Sequence, residues 1–224
     1  MPTPRPLLLL ASCSSFLASL SAAPFELAKP IEGANGVVMK EFAKEPFMRN
    51  TVGICVDEKG RVYATSVVRR KAADLDIRQF RQWIETDLSL RSVDEKRAFY
   101  HRELNVENSA RYKRIGDQNK DGTVDWHDLT VLSDRIIRIV DHDQDGVADE
   151  ATVYADNFNT EVTGIAAGVT AWDGKIYATI EPDAWVLEDK DDDGKSDTRT
   201  SLAYGYSVHV AYAGHNFSGP VLGP

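Results

Sequence analysis

The sequence predicts a mainly β protein. It reads as a partial β-propeller of two to three blades, each a four-stranded antiparallel sheet, with a helical insertion. Three observations predict this. A nine-residue acidic loop occurs twice, as Asp141-His-Asp143-Gln-Asp145-Gly146-Val-Ala-Asp149 and Asp189-Lys-Asp191-Asp-Asp193-Gly194-Lys-Ser-Asp197, 48 residues apart. The match runs past the acids, pairing Ile139 with Leu187 before the loop and Thr152 with Thr200 after it. A hairpin is also doubled, closing once on Val62-Tyr-Ala-Thr65 and once on Ile176-Tyr-Ala-Thr179. Finally, four short strands fall within one 48-residue period, the repeat length of a propeller blade. One blade cannot bury both faces of its sheet, so neighbours stack about an axis.

Taken in order, residues 1–23 read as an export signal. Arg5 supplies a positive n-region, Leu7 to Leu20 an apolar run, and Ser21-Ala22-Ala23 a small-residue cleavage site. The expected address is therefore secreted or periplasmic. Leu10-Ala11-Ser12-Cys13 has the residue types of a lipobox, so a lipid anchor at Cys13 is the alternative. No other stretch approaches the ~20 apolar residues of a membrane span. Residues 24–224 then form the incomplete propeller domain. If Cys13 leaves with the signal, Cys55 is the only cysteine left and no internal disulfide can form. Val52 to Ser66 reads as a hairpin about the turn Asp57-Glu-Lys-Gly60, with Val52, Ile54 and Val56 on one face and a small buried Cys55 on the other.

A helical insertion is expected at about residues 75–105. Ile77, Phe80, Ile84 and Leu88 recur at helical spacing, and Ser92-Val-Asp-Glu95 reads as a capping box opening a second helix to about Leu104. From Ile136 the strands return, and Val208 to Tyr212 reads as one of them, carrying His209. Two blades and the start of another precede Pro224, whereas a closed ring takes about four or more. The chain therefore reads as the front part of a longer protein.

Lys and Arg number 26 against 35 Asp and Glu, giving a net charge of −9. No basic run exceeds Arg69-Arg70-Lys71, so nucleic acid is excluded as an expected partner. Much of the negative charge sits in the acidic loops. The spacing D-x-[DN]-x-D-G-x-x-D sets oxygen ligands at alternate positions about a sharp Gly turn, which suits Ca²⁺. The expected ligands are Asp141, Asp143, Asp145 and Asp149, and again Asp189, Asp191, Asp193 and Asp197. A related loop upstream offers Asp117, Asn119, Asp121, Asp125 and, at position twelve, Asp128. Followed by Leu129 to Leu132 and Ile136 as an exiting helix, this 117–128 loop is EF-hand-like and the better candidate for a true calcium site. The repeated loops carry Thr152 and Thr200 at position twelve, and there the plainer alternative is an Asp-rich turn without an ion. His127 and His142 sit at non-ligand positions.

Gly116 to Leu129, with a second loop following, resembles a dockerin, which docks on a cohesin partner through calcium-loaded helices. Glu150 to Asp156 is strand-like where a dockerin has its second helix. A broader resemblance covers about residues 45–224. It is carried by Arg138 to Asn157, Gly164-Ile-Ala-Ala-Gly-Val169, Ala184 to Lys195, and Tyr204-Gly-Tyr-Ser-Val-His-Val-Ala-Tyr-Ala-Gly-His-Asn216. These stretches resemble the secreted "membrane-bound dehydrogenase" propellers of planctomycete-type bacteria, relatives of the soluble glucose/sorbosone dehydrogenases. The resemblance implies a quinone cofactor, PQQ, over the axis, a sugar or alcohol substrate, and in many members a cytochrome c domain beyond further blades. His215-Asn-Phe-Ser-Gly219-Pro-Val-Leu-Gly223-Pro224 is similar to the family's catalytic stretch, which implies His215 as the general base. Two readings follow: the front part of a calcium-binding propeller dehydrogenase, inactive as this chain alone, or a calcium-dependent dockerin-like module without catalysis.

Overall fold

The computed structural model describes residues 29–212 and 214–223. The expected export signal and Cys13 lie outside the described residues. The described residues begin with a short exposed hairpin, β1 (Ile31–Glu32) and β2 (Val38–Met39). Two four-stranded antiparallel sheets follow. Blade 1 holds β3 (Thr51–Val56), β4 (Val62–Ser66), β5 (Asp134–Val140) and β6 (Glu150–Phe158), in that order across the sheet. Blade 2 holds β7 (Ala166–Trp172), β8 (Lys175–Ile180), β9 (Asp183–Glu188) and β10 (Thr198–Tyr204), again neighbour to neighbour. The molecule is mainly β, as the repeat predicts. The 48-residue period is offset from the blades. It starts in the outer half of blade 1, so each repeated acidic loop joins the third and fourth strands of its own sheet.

The inner strands of the two sheets are held together at glycine. A Cβ on Gly53 of β3 would lie 3.3 Å from the Gly168 Cα of β7. On the other side of β7, a Cβ on Gly168 would lie 2.8 Å from the Gly219 nitrogen, so only a bare Cα fits. Tyr63, Ile136, Tyr154 and Phe158 of blade 1 then close against Val169, Ile176, Ala178 and Leu187 of blade 2. Cys55 packs at the edge of this core, on the Gly53 side of its strand. The opposite side of β3 is open, leaving Val52, Ile54 and Val56 at 53%, 62% and 58% exposure. Beside it, the far face of β4 and β5 is covered by segment 42–48, where Phe47 is buried with Ala64, Ile137 and Ile139.

The insertion is larger than its helical pattern suggests, filling the whole connection from Val67 to Ser133. The pattern at Ile77, Phe80, Ile84 and Leu88 does not form one helix. Asp76 caps a 3-10 turn at Ile77–Gln79, and a second turn at Arg81–Trp83 leads into α1 (Ile84–Ser89). The break lets Trp83 stack on Phe80 at 4.4 Å and donate its indole N–H to the Tyr112 hydroxyl. Ile84 and Leu88 are left exposed. The second helix, α2 (Val93–Glu103), forms as expected: the Ser92 hydroxyl accepts from the Glu95 N–H at 3.1 Å.

Two further expectations are corrected. The exiting helix after the Asp117 loop is one 3-10 turn, Trp126–Thr130, because the β-branched run that follows pairs as β5 with β4 and β6. Val208 to Tyr212 is no strand: α1 holds it, with the Val210 N–H donating to Asp87 at 2.7 Å. His209 there bonds the Asp87 carbonyl through Nδ1.

A buried guanidinium ties the insertion to both blades. Arg69 donates to the carbonyls of Leu129, Leu132, Thr160 and Thr163. Fully buried Asp134 accepts from the N–H groups of Val68, Arg69 and Ala166. No described helix is long and apolar enough to cross a membrane.

Candidate metal centres

The two repeated loops fold alike. The first Asp accepts from the N–H of the sixth-position glycine: Asp141 from Gly146 at 2.8 Å, and Asp189 from Gly194 at 2.9 Å. The ninth-position Asp accepts from the second residue: Asp149 from His142 and Asp197 from Lys190, both at 2.7 Å. Gly146 and Gly194 both sit at φ 89°, a conformation that costs glycine little. The backbone therefore wraps each loop around its own carboxylates.

This geometry converges ligand atoms. One carboxylate oxygen each from Asp141, Asp143 and Asp149 lies within 4.8 Å of the others, and so do those of Asp189, Asp191 and Asp197. The fifth-position acids, Asp145 and Asp193, accept from Val147 and Lys195 within their own loops. In the Asp189 loop one oxygen is left over: Asp189 Oδ1 is shut off from solvent and has no hydrogen-bond partner. A buried carboxylate oxygen without a donor is costly unless a cation or water meets it, so the residues present fit a hard divalent ion.

The Asp117 loop differs. Asp117 still accepts from the Gly122 N–H at 2.9 Å, but no three of its carboxylates converge as in the repeated loops. Fully buried Asp128 replaces the ninth-position acid, accepting from Gln118 at 2.7 Å and Asn119 at 3.1 Å. Its second oxygen accepts from the Asp125 N–H at 2.8 Å. Asp125 turns to cap the following 3-10 turn, accepting from the His127 N–H. Asn119 and Asp121 bond each other at 2.8 Å. Three backbone donors meet Asp128, and with Asp125 it closes the loop through a capping box. Three carboxylates converge in each repeated loop, whereas the Asp117 loop carries an amide, Asn119, at the third position. His142 pairs with Glu150 outside its ligand set.

His215 lies at an exposed turn, its Nδ1 in close contact with the Tyr212 carbonyl. The turn is held by side chains the sequence reading missed. Glu181, from the two-residue link between β8 and β9, accepts from the Phe217 N–H at 2.5 Å and from Asn216 Nδ2 at 2.9 Å. Asp74 of the insertion accepts from the same amide at 3.4 Å. A Cβ on Gly164 would lie 2.7 Å from that nitrogen, so the turn closes over a bare Cα. Asn216-Phe217-Ser218 is a formal glycosylation sequon, yet its amide nitrogen is committed to two carboxylates.

Beneath the turn sits a charge cluster. Lys96 is buried on α2 and bonded to the Ser207 carbonyl, and burial lowers its pKa against the pull of Asp74, Glu181 and Asp87. Burial pushes the Asp74 carboxyl up to about 6, with Lys96 opposing and Glu181 adding to the rise. These residues are far apart in sequence and lie in no motif, and Lys96 sits unremarked in the charged run Asp94-Glu95-Lys96-Arg97, so no local signal pointed to them. A tricarboxylate quinone needs cationic donors. The side chains holding the His215 turn are acidic, so they do not form such a site.

Fold and loops together define a class: stacked antiparallel β blades whose third and fourth strands are joined by acidic loops. The chain belongs to the family described as Domain of unknown function (DUF7133), whose model matches residues 23–220. No curated protein and no solved structure matches the chain.

Proposed function

We propose that this chain is a calcium-binding β-propeller portion of a secreted or periplasmic oxidoreductase. One observation carries the calcium reading: Asp141, Asp143 and Asp149, and Asp189, Asp191 and Asp197, form two like trios of converging carboxylates. Carboxylate and carbonyl oxygens on a flexible loop suit Ca²⁺, whereas Mg²⁺ keeps its waters and demands near-octahedral geometry. The ions stabilise the scaffold and perform no step of a reaction. In calorimetric titration of the EDTA-treated chain, about two sites should take calcium with preference over magnesium. An absence of heat at millimolar calcium overturns the reading.

The oxidoreductase part rests on the resemblance around His215, and one observation favours it over the dockerin-like reading. The 215–217 turn is pinned from below by Glu181 and Asp74 while the imidazole stays open to solvent. An imidazole open to solvent is the side-chain type suited to proton abstraction near neutral pH. When bound, PQQ would supply the hydride acceptor, and the cationic groups to hold it must come from outside this turn. This chain alone is expected to oxidise no aldose in a dye-linked assay with added PQQ and Ca²⁺. Turnover there would show that these blades form a complete site. Calcium-dependent capture of a cohesin domain would instead support the dockerin-like reading.

A further inference from the structure

Each repeated acidic loop touches the element before it in the stack, and does so through the same residue. In blade 2 the eighth loop residue, Ser196, donates its backbone N–H to the Tyr154 carbonyl of β6 at 2.8 Å. In blade 1 the eighth residue, Ala148, donates to the Phe42 carbonyl at 2.9 Å. Segment 42–48 thus stands in the place that β6 takes for blade 2, that of the preceding blade's outermost strand.

The Asp189 loop has further holds on blade 1. Asp192 pairs with Lys59 at 3.0 Å and with Arg61, both on the turn between β3 and β4. Asp192 is the fourth loop residue, between ligand positions, and its carboxylate serves the neighbouring blade. The decisive hold is on the peptide backbone. Gly194 gives its N–H to Asp189 at 2.9 Å, while its carbonyl accepts from the Thr152 hydroxyl of β6 at 3.1 Å. One residue is therefore gripped by a metal-ligand candidate on one side and by the preceding blade on the other. The Asp189 oxygen that lacks a partner belongs to the same carboxylate.

We propose that the Asp189 loop is a cation-operated clasp between blades. Divalent-cation binding at Asp189, Asp191 and Asp197 fixes the Gly194 residue and so seats blade 2 on blade 1. The proposal rests on the calcium reading above. Ion binding and blade seating form one coupled equilibrium, and each tightens the other by the same factor. Thr152 is thus no failed twelfth ligand of its own loop: it serves the loop of the next blade. Thr200, its counterpart one repeat later, is exposed on β10 and provides the control.

The test combines calcium calorimetry with hydrogen exchange read by mass spectrometry on the full chain. Calcium should slow exchange about tenfold or more across residues 152–156 and 194–198. Thr152→Val should weaken calcium binding about three- to tenfold although it lies outside the ligating loop, and Thr200→Val should leave it unchanged. Calcium binding with unchanged exchange at 152–156 would overturn the clasp and leave the calcium reading standing. So would equal calcium affinity in the Thr152→Val and Thr200→Val variants. Absence of binding heat in the parent chain would overturn both.

Discussion

Blade 1 and blade 2 share a strand order, a glycine in the inner strand and an acidic loop between the third and fourth strands. They part at one connection. Between β8 and β9 the chain turns through Glu181 and Pro182, whereas between β4 and β5 it runs from Val67 to Ser133 and builds a helical subdomain. That subdomain has its own aromatic core of Phe80, Trp83, Phe99 and Tyr112. It also delivers Asp74 and Lys96 to the place where Glu181 meets the His215 turn. The difference teaches that the repeat supplies the scaffold, and the departure from the repeat supplies the buried charge.

The comparison breaks most sharply at Arg69, the link between insertion and blades. Arg69→Ala leaves four carbonyls without their donor and Asp134 buried beside a lost cation. It should cost about 3–5 kcal/mol, read as a lower midpoint in denaturant unfolding. Trp83→Ala should cost a similar amount, about 3–5 kcal/mol, from the emptied insertion core. If hydrogen exchange then rises in the insertion alone while β4 and β5 stay protected, the insertion is a separate folding unit. Exchange rising in both shows that Arg69 makes them one.

A smaller effect sharpens the likeness of the two blades. At a calcium concentration about one hundred times Kd, binding should add about 2.7 kcal/mol per site, and EDTA should lower Tm accordingly. Asp141→Asn and Asp189→Asn should each remove about half of the calcium-dependent shift in a thermal melt. Asp128→Asn should lower Tm without changing the calcium response, because that carboxylate serves the capping box. If only Asp128→Asn abolished the calcium shift, the assignment of sites would be reversed.

The cluster beneath the His215 turn gives a pH signature of blade 1's insertion. The folded pKa of Asp74 is raised from 3.8 to about 6, so the native state holds this proton more tightly than the unfolded chain. Its contribution is therefore full below about pH 4 and is lost as pH rises through about 6, with an upper bound of about 3 kcal/mol. Tm should rise on acidification from pH 7.5 to 5.5, and Asp74→Asn should flatten that slope. An unchanged slope in the variant would place the titration elsewhere. The smallest effect concerns Cys55, whose thiol burial pushes up to about 12. It should resist alkylation at pH 8 in the folded chain and react once the chain is unfolded.

Much of the fold was legible in the sequence because it is periodic. The 48-residue spacing of the Asp loops, the doubled Tyr-Ala-Thr hairpin and the Ser92 cap are local patterns, and each forms where local chemistry directs it. The helix drawn through Ile77, Phe80, Ile84 and Leu88 failed because Trp83, outside that spacing, takes the core position by stacking on Phe80. The exiting helix after Asp128 failed because the β-branched run Ile136, Ile137 and Ile139 found pairing partners on both sides. At the site, the ligand spacing was readable, but which loops converge was not. Asp125 and Asp128 have the same chemistry as Asp149 and Asp197, and only the backbone donors around them decide whether they cap or converge.

The sequence by itself determined the blade repeat, the turn glycines and the carboxylates, since these depend on neighbours a few residues away. Only the tertiary structure decided the rest. Gly53 is set against Gly168, Thr152 reaches the loop 42 residues downstream, and Asp74, Lys96, Glu181 and Asn216 gather under one turn. Such contacts join residues with no shared period. They arise because stacked sheets must exclude water along their whole length, and the polar groups trapped there must find each other.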